Sequence, residues 1–187
     1  MFARTLEAPT FPPGGLRLVK PGPEHAALSL GWVRDPDVTR YMGADFSGAS
    51  MATETTRVLD LLSSTDTFGW IIEVEGRPIG AIEINRIGQT SQTYGVKGAN
   101  FSTLIGDKAW WGKHVAPTAK RLIMDWGFAE GGFELFVGRS QSPNERSWRS
   151  LEHLGFEYQE TQSEMLRGRT VEWRVYVMTK SRWLKVR

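Results

Sequence analysis

Alternating apolar and polar residues predict a series of short strands along the chain. The clearest pair is 68–75 and 79–87, which are rich in isoleucine and valine and flank a Gly-Arg-Pro turn, as expected for an antiparallel hairpin. A second hairpin closes the chain around Arg167 and Gly168. The predicted strands are residues 16–20, 68–75, 79–87, 99–105, 133–139, 156–166 and 170–179.

Apolar residues that recur three or four positions apart predict helices between these strands. Pro23 suits the first turn of the first helix, and Asn144 is a good N-cap for the last, which ends at Gly155. The predicted helices are residues 23–32, 36–42, 53–62, 117–130 and the segment after Asn144. This order predicts a mixed α/β sheet of about seven strands with parallel and antiparallel neighbours, flanked by about four to five helices.

Length and composition indicate a soluble single-domain protein. The 187 residues fit one domain, which we expect over 16–187, after a proline- and glycine-containing loose arm at 1–15. No apolar run approaches the roughly 20 residues of a membrane span, so a cytoplasmic location without membrane association is expected. The net charge of +2 does not suggest a nucleic-acid partner.

The content of cysteine and histidine excludes several kinds of site. The chain contains no cysteine, which excludes disulfides, a thiol nucleophile and cysteine-ligated metals. Its three histidines are widely spaced, so a histidine metal site is not expected either. We therefore predict no metal.

The segment from Gly106 to Pro117 is a candidate phosphate-binding loop. It joins a predicted strand to a predicted helix, and a helix N-terminus offers unpaired N–H groups and the positive end of the helix dipole. Gly112 and Ala116 are small enough to let the main chain approach a phosphate closely. An ordinary strand-to-helix loop has the same pattern, so this signal alone is weak.

Other segments, in order and spacing, strengthen that interpretation. They are the Trp-Val-Arg-Asp-Pro-Asp run at 32–37, the loop at 109–116, and the stretches 144–147 and 152–156. With these segments the chain resembles the GCN5-related N-acetyltransferases (GNAT), particularly the group that includes ribosomal-protein N-terminal acetyltransferases. The resemblance spans roughly 16–183.

The resemblance implies acetyl-CoA as cosubstrate. In such proteins the pyrophosphate lies on the N–H groups of the loop, and the pantetheine arm lies where a central parallel strand pair splays apart. Here those strands begin near Ala99 and Phe133, and an N–H of 101–105 would stabilise charge on the acyl oxygen. The implied coenzyme-binding residues are Leu104, Ile105, Trp111, Gly112, Lys113, His114, Val115, Ala116, Thr118, Asn144 and Ser147.

Three positions depart from the family pattern. His114 stands where the family usually has glycine, and Pro117 removes a donor from the helix start. Leu151 stands where many relatives carry a tyrosine that protonates the departing thiolate. His114, Lys113 and Lys120 are candidate phosphate partners, with solvated side chains as the alternative.

Acetyl transfer to an amine requires removal of a proton from the amine and, optionally, an acid for the thiolate. Ser147 aligns with a serine of the N-terminal acetyltransferase group and is the candidate acid, unless it only caps its helix. Glu83 is the candidate base, although alternation with Ala81 and Asn85 also fits a solvent-exposed face. Glu73 is a weaker candidate of the same kind.

The acceptor pocket is expected between the early helices and the last hairpin. By the same resemblance, Trp32, Tyr41 and Met42 would wall it and Glu172 would border it, unless the aromatic residues are simply core. The acceptor is then a primary amine, either a protein N-terminus or a small molecule, and the protein is a monomer or a homodimer. A non-catalytic acyl-CoA-binding regulatory module on the same fold is the alternative. A nucleic-acid binder ranks last, because the basic residues are dispersed.

Overall fold

The computed structural model describes residues 5–11 and 14–187 and confirms the mixed α/β fold. One eight-stranded sheet has the order β1-β2-β3-β4-β5-β6-β8-β7. Its strands are β1 (Leu6–Ala8), β2 (Leu16–Val19), β3 (Phe68–Val74), β4 (Arg77–Asn85), β5 (Gly98–Ile105), β6 (Leu135–Gln141), β7 (Glu157–Leu166) and β8 (Arg169–Thr179). The helices are α1 (Ala26–Arg34), α2 (Pro36–Thr39), α3 (Met51–Ser63), α4 (Ile87–Tyr94), α5 (Val115–Ala129), α6 (Glu145–His153) and α7 (Lys180–Val186).

All neighbouring strands are antiparallel except the central pair, β5 and β6. These two strands pair in parallel from Gly98 with Leu135 to Phe101 with Gly138, and then separate. Beyond that point β5 continues beside β4, and β6 continues beside β8. We call this opening the fork. It matches the splayed parallel pair that the resemblance implied.

The two faces of the sheet have different surroundings. One face, the core face, carries Trp70, Phe101 and Phe136 and packs against α5, α6 and α7. The other face, the open face, carries the side chains that alternate with these, including Glu83, Ser102, Arg139 and Trp173. Helix α3 covers the open face over β3, and α4 covers it at the start of β5. Between these helices and β8 the open face retains polar residues, which makes it suitable for a site.

The predicted loose arm is wrong over the segment that the structure describes as a strand. Leu6 pairs with Leu18, and its side chain is buried in the main core together with Phe11. The apolar side chains of this segment therefore anchor it as an edge strand. Residues 1–4, 12 and 13 of the arm lie outside the described residues.

Two helices were not predicted. Helix α4 lies between left-handed residues, Arg86 (φ 54°) and Gly95 (φ 70°), and buries only Thr90, so it has no apolar stripe. Helix α7 is capped by the Thr179 side chain and buries Trp183, whose indole N–H donates to Asp125 on α5. No helix in the described ranges is long and apolar enough to cross a membrane.

Candidate functional site

At the fork, the end of β5 has no neighbouring strand on its β6 side. After Phe101 and Gly138, residues 102–105 of β5 have no register partner on β6 in the described chain. Main-chain N–H and C=O groups inside a protein need a partner, so a ligand with amide groups fits beside them. Leu151 of α6 packs on the core face of the fork, where a Cβ at Gly138 would lie 2.7 Å from its Cδ atoms.

The chain leaves β5 through a tightly held turn. The N–H groups of Gly106 and Asp107 donate to the carbonyl of Ile79 at 2.9 and 3.0 Å. The ring of Trp32 packs directly on Gly106, where a Cβ would collide with it, and Trp32 is only 8% exposed. Trp32 therefore holds this turn in place and offers little surface to an acceptor.

The next turn, Lys108–Trp110, is tied to both sides of the site. Lys108 Nζ binds Asp35 at 2.8 Å and Asp37 at 3.0 Å, at the start of α2. The hydrogen bond from Lys108 holds the pKa of Asp35 below its usual range. The indole N–H of Trp111 donates to the carbonyl of Ile105 at 2.8 Å. The loop is thus braced before it reaches α5.

The start of α5 presents main-chain donors. Gly112 and His114 have left-handed dihedrals, with φ of 77° and 59°. Within the described chain no acceptor meets the N–H groups of His114, Val115 and Ala116, which precede the first intrahelical donor, Thr118. Together with the dipole of a 15-residue helix they fit an anionic group.

Cationic side chains flank this loop. Lys113 Nζ lies 4.8 Å from the Trp110 ring centroid, and the Arg146 guanidinium lies 4.1 Å from that of Trp111. Arg146 was not singled out from the sequence. Lys120, in contrast, is buried, and burial lowers the pKa of its amine to about 8, so it does not face solvent as a phosphate partner would.

Asn144 and Ser147 have distinct places at the start of α6. The Asn144 side chain accepts from the Ser147 N–H at 3.3 Å, which is the predicted N-cap. The Ser147 hydroxyl makes no hydrogen bond within the described residues, so Ser147 is not the cap of this helix. It lies one turn before Leu151, on the same side of α6, and Leu151 contacts the fork.

Glu83 lies beside the fork on the open face. It pairs with Ser102 across β4 and β5, one residue past the end of the parallel pairing. Arg57 of α3 donates to Glu83 at 3.0 Å, to Glu54 at 3.1 Å and to Ser29 at 2.8 Å. Burial raises the pKa of Glu83, against the lowering effect of Arg57. Glu83 is therefore only partly exposed, with 23% of its side chain accessible, because α3 covers the rest.

The other residues predicted around the acceptor are divided between the two faces. Tyr41 and Met42 precede Gly43, where a Cβ would lie 3.6 Å from the Trp173 ring on the open face. Glu172 is exposed and alternates with Trp173, so its side chain projects from the opposite face. Glu73 lies away from the site, 3.6 Å from Arg17 of β2.

The sequence matches the family model described as acetyltransferase (GNAT) domain over residues 15–157. No curated protein matches it significantly.

Solved structures share the fold at low sequence identity. The spermidine N-acetyltransferase from Vibrio cholerae, in complex with CoA and spermine, is 16% identical with a TM-score of 0.78, over 90% of this chain and 98% of its own. The microcin self-immunity acetyltransferase MccE, with acetyl-CoA and AMP, is 14% identical with a TM-score of 0.75, over 88% and 92% of the two chains. RimL, an α-N-acetyltransferase of a ribosomal protein, in complex with CoA, is 16% identical with a TM-score of 0.73, over 88% and 93%.

Proposed function

Because this chain belongs to the GNAT acetyltransferase domain family, we propose that it transfers the acetyl group of acetyl-CoA to the nitrogen of a primary amine. One observation carries the proposal: the fork between β5 and β6 opens toward the unpaired N–H groups at the start of α5. Phosphates on those donors would direct a flexible arm along residues 102–105, so that its end reaches the fork.

The residues present fit this cosubstrate. The N–H groups of His114, Val115 and Ala116 would hold the pyrophosphate, with Lys113 and Arg146 nearby as cations. The main chain of Leu104 and Ile105, which pairs with β4 but has no register partner on β6, would bind the amide groups of the arm. Acetyl-CoA supplies the chemistry of an activated thioester.

The reaction needs few groups from the protein. The amine nitrogen forms a bond to the acetyl carbon, the carbon–sulfur bond breaks, the nitrogen loses a proton and the sulfur gains one. Glu83 is the proposed proton acceptor, since burial raises the pKa of its carboxyl and makes it a stronger base. Ser147 is the proposed proton donor on the core face, where Leu151 has no hydroxyl.

The acceptor would be a protein N-terminus or a small-molecule amine. Among the structural neighbours, one is a spermidine acetyltransferase with spermine bound, and another is an acetyltransferase of a ribosomal protein.

A non-catalytic acyl-CoA-binding module is the second candidate function, because His114 has a left-handed conformation in the loop and Leu151 cannot donate a proton.

The proposal is tested first by calorimetric titration with acetyl-CoA. The Ala116→Trp variant should lose binding, because the indole would occupy the space where the main chain must approach the phosphates. Ala52→Trp is the matched control: Ala52 is exposed and holds the same second position in α3. Equal affinity of the two variants would contradict the loop assignment.

Turnover is then measured as thiol release over a panel of amines and peptides. Release that depends on an amine supports the acetyltransferase. Tight binding of acetyl-CoA without release for any amine would favour the non-catalytic module.

A further inference from the structure

Four buried polar side-chain atoms have no hydrogen-bond partner among the described residues. They are Thr103 Oγ1, Arg139 Nε, Gln141 Nε2 and Trp173 Nε1. Buried polar atoms in native proteins are almost always paired, so each exception needs an explanation. All four belong to β5, β6 and β8, at the open end of the fork. Thr103 shares the core face with Ile82, so one ligand on the open face can supply partners to the other three atoms.

Three of these atoms are N–H donors on the open face. Arg139 is the first residue of β6 after the parallel pairing with β5 ends, and Gln141 lies two residues further on the same face. Trp173 is the register partner of Gln141 on β8, and the Arg139 guanidinium lies 5.1 Å from its ring centroid. At a strand rise of about 3.3 Å per residue, the Cα atoms of Arg139 and Gln141 lie about 7 Å apart along β6.

The neighbours of these donors do not satisfy them. Arg139 contacts Glu164 only through its outer nitrogen, at 3.4 Å, and its Nε stays unpaired. Gln141 is 7% exposed, so water does not replace the missing partner freely. Leaving such donors unpaired costs free energy that an acceptor oxygen recovers on binding.

Among candidate ligand groups, a carboxylate best matches the three unpaired N–H donors. It has two oxygens and about four acceptor positions, whereas a single peptide carbonyl has one oxygen, and a protonated polyamine has no acceptor. Arg139 adds a positive charge, which favours an anion. Gly43 lies beside the Trp173 ring, where a Cβ would be 3.6 Å from it.

We propose that the acceptor is a small amine carrying a carboxylate, in the class of amino acids, and that Arg139, Gln141 and Trp173 bind this carboxylate while the amine lies at the fork. The inference rests on the proposed acetyl transfer and names its substrate class. Glu83, on the neighbouring strand, lies near the fork for the amine.

The first test compares acceptors with the wild-type protein. A panel of α-amino acids, each beside its carboxamide and its decarboxylated amine, is assayed for thiol release with acetyl-CoA. We expect kcat/KM at least about tenfold higher for the best carboxylate than for its two analogues, since each hydrogen bond to a charged group is strong. Equal values, or a preference for decarboxylated amines, polyamines or peptides, would overturn the inference.

The second test uses Gln141→Met, which keeps the volume and removes the orphan amide. The variant should raise the KM for the carboxylate acceptor about tenfold, leave the KM for acetyl-CoA within about twofold, and melt at the same temperature or higher. A rise in the KM for acetyl-CoA instead would assign the amide to the cosubstrate. A lower melting temperature with unchanged acceptor preference would make Gln141 structural, and either result overturns the inference.

Arg139→Lys provides a second variant, because it keeps the charge and removes Nε. It should lower kcat/KM for the carboxylate acceptor more than for its carboxamide, and an equal effect on both would contradict a contact between Nε and the carboxylate. The two proposals fail separately. Absence of acetyl-CoA binding in calorimetry overturns the proposed function, whereas turnover without carboxylate preference overturns only the substrate class.

Discussion

Replacing His114 by glycine tests whether the coenzyme loop is strained. His114 has φ 59° and ψ 15°, and it caps α5. In this left-handed region the Cβ of an L-residue crowds the neighbouring carbonyl, at a cost of roughly 1–2 kcal/mol. Histidine is among the residues that tolerate the region better, which places it near the lower value. Glycine has no Cβ and removes the crowding.

The expected gain is small but measurable. Glycine makes the unfolded chain more flexible, which costs about 0.4–1 kcal/mol and offsets part of the relief. We expect His114→Gly to stabilise the protein by about 0.5 kcal/mol, a rise in Tm of about 1–2 °C for a chain of this size. His114→Ala keeps the Cβ, so it should be no more stable than the wild type.

Thermal unfolding of the three proteins without ligand measures this difference, and calorimetry with acetyl-CoA measures the loop itself. Because the donors of the loop are main-chain N–H groups, both variants should bind within about twofold of the wild type. Equal Tm values for the glycine and alanine variants would refute the left-handed strain. An equal loss of affinity in both would instead assign the imidazole a contact with the phosphates.

Two further perturbations address the two faces of the fork. Ser147→Ala should lower kcat about tenfold or more with the KM for acetyl-CoA unchanged in steady-state kinetics, and equal turnover would deny Ser147 a role as proton donor. Arg57→Met leaves Glu54 and Glu83 without their cation and should destabilise the protein by about 2–3 kcal/mol in denaturant titration. Arg77→Met, at the exposed first residue of β4, is the control. Because burial raises the folded pKa of Glu83 above its unfolded value, the protonated form favours folding: stability is fully present below the unfolded pKa and falls as pH rises through the raised one. The loss of stability caused by Arg57→Met should therefore be larger at pH 7, where Glu83 is ionised, than at pH 4. A loss of stability that does not depend on pH would contradict this account.

Most of the sheet could be predicted from alternation, because the central strands place apolar residues on the core face, whereas β7 is exposed and was identified from the turn before β8. The unpredicted elements lack such a pattern. Helix α4 buries only Thr90, and α7 depends on the contact of Trp183 with α5, which joins residues distant in sequence. Strand β1 is three residues long, too short for a period to be recognised.

The site could be predicted in part. The loop before α5 was identified through resemblance, but the left-handed dihedrals of His114 are a property of the folded turn. Alternation placed Glu83 on the open face but could not give its partial burial, because that depends on α3 packing over the strand. The donors of Gln141 and Trp173 come together only through the register of β6 and β8, which no sequence pattern contains.

The fork also has a mechanical consequence. Strands β1 to β5 form one block of the sheet and β6, β8 and β7 form another. Among the described residues, the strands of the two blocks pair only over the four register pairs from Gly98 with Leu135 to Phe101 with Gly138. A cosubstrate whose amides lie along residues 102–105 would add main-chain hydrogen bonds where β5 and β6 no longer pair. During each catalytic cycle the gap between β5 and β6 would alternate between empty and bridged by the cosubstrate. The two blocks of the sheet would then move less relative to each other when the site is occupied.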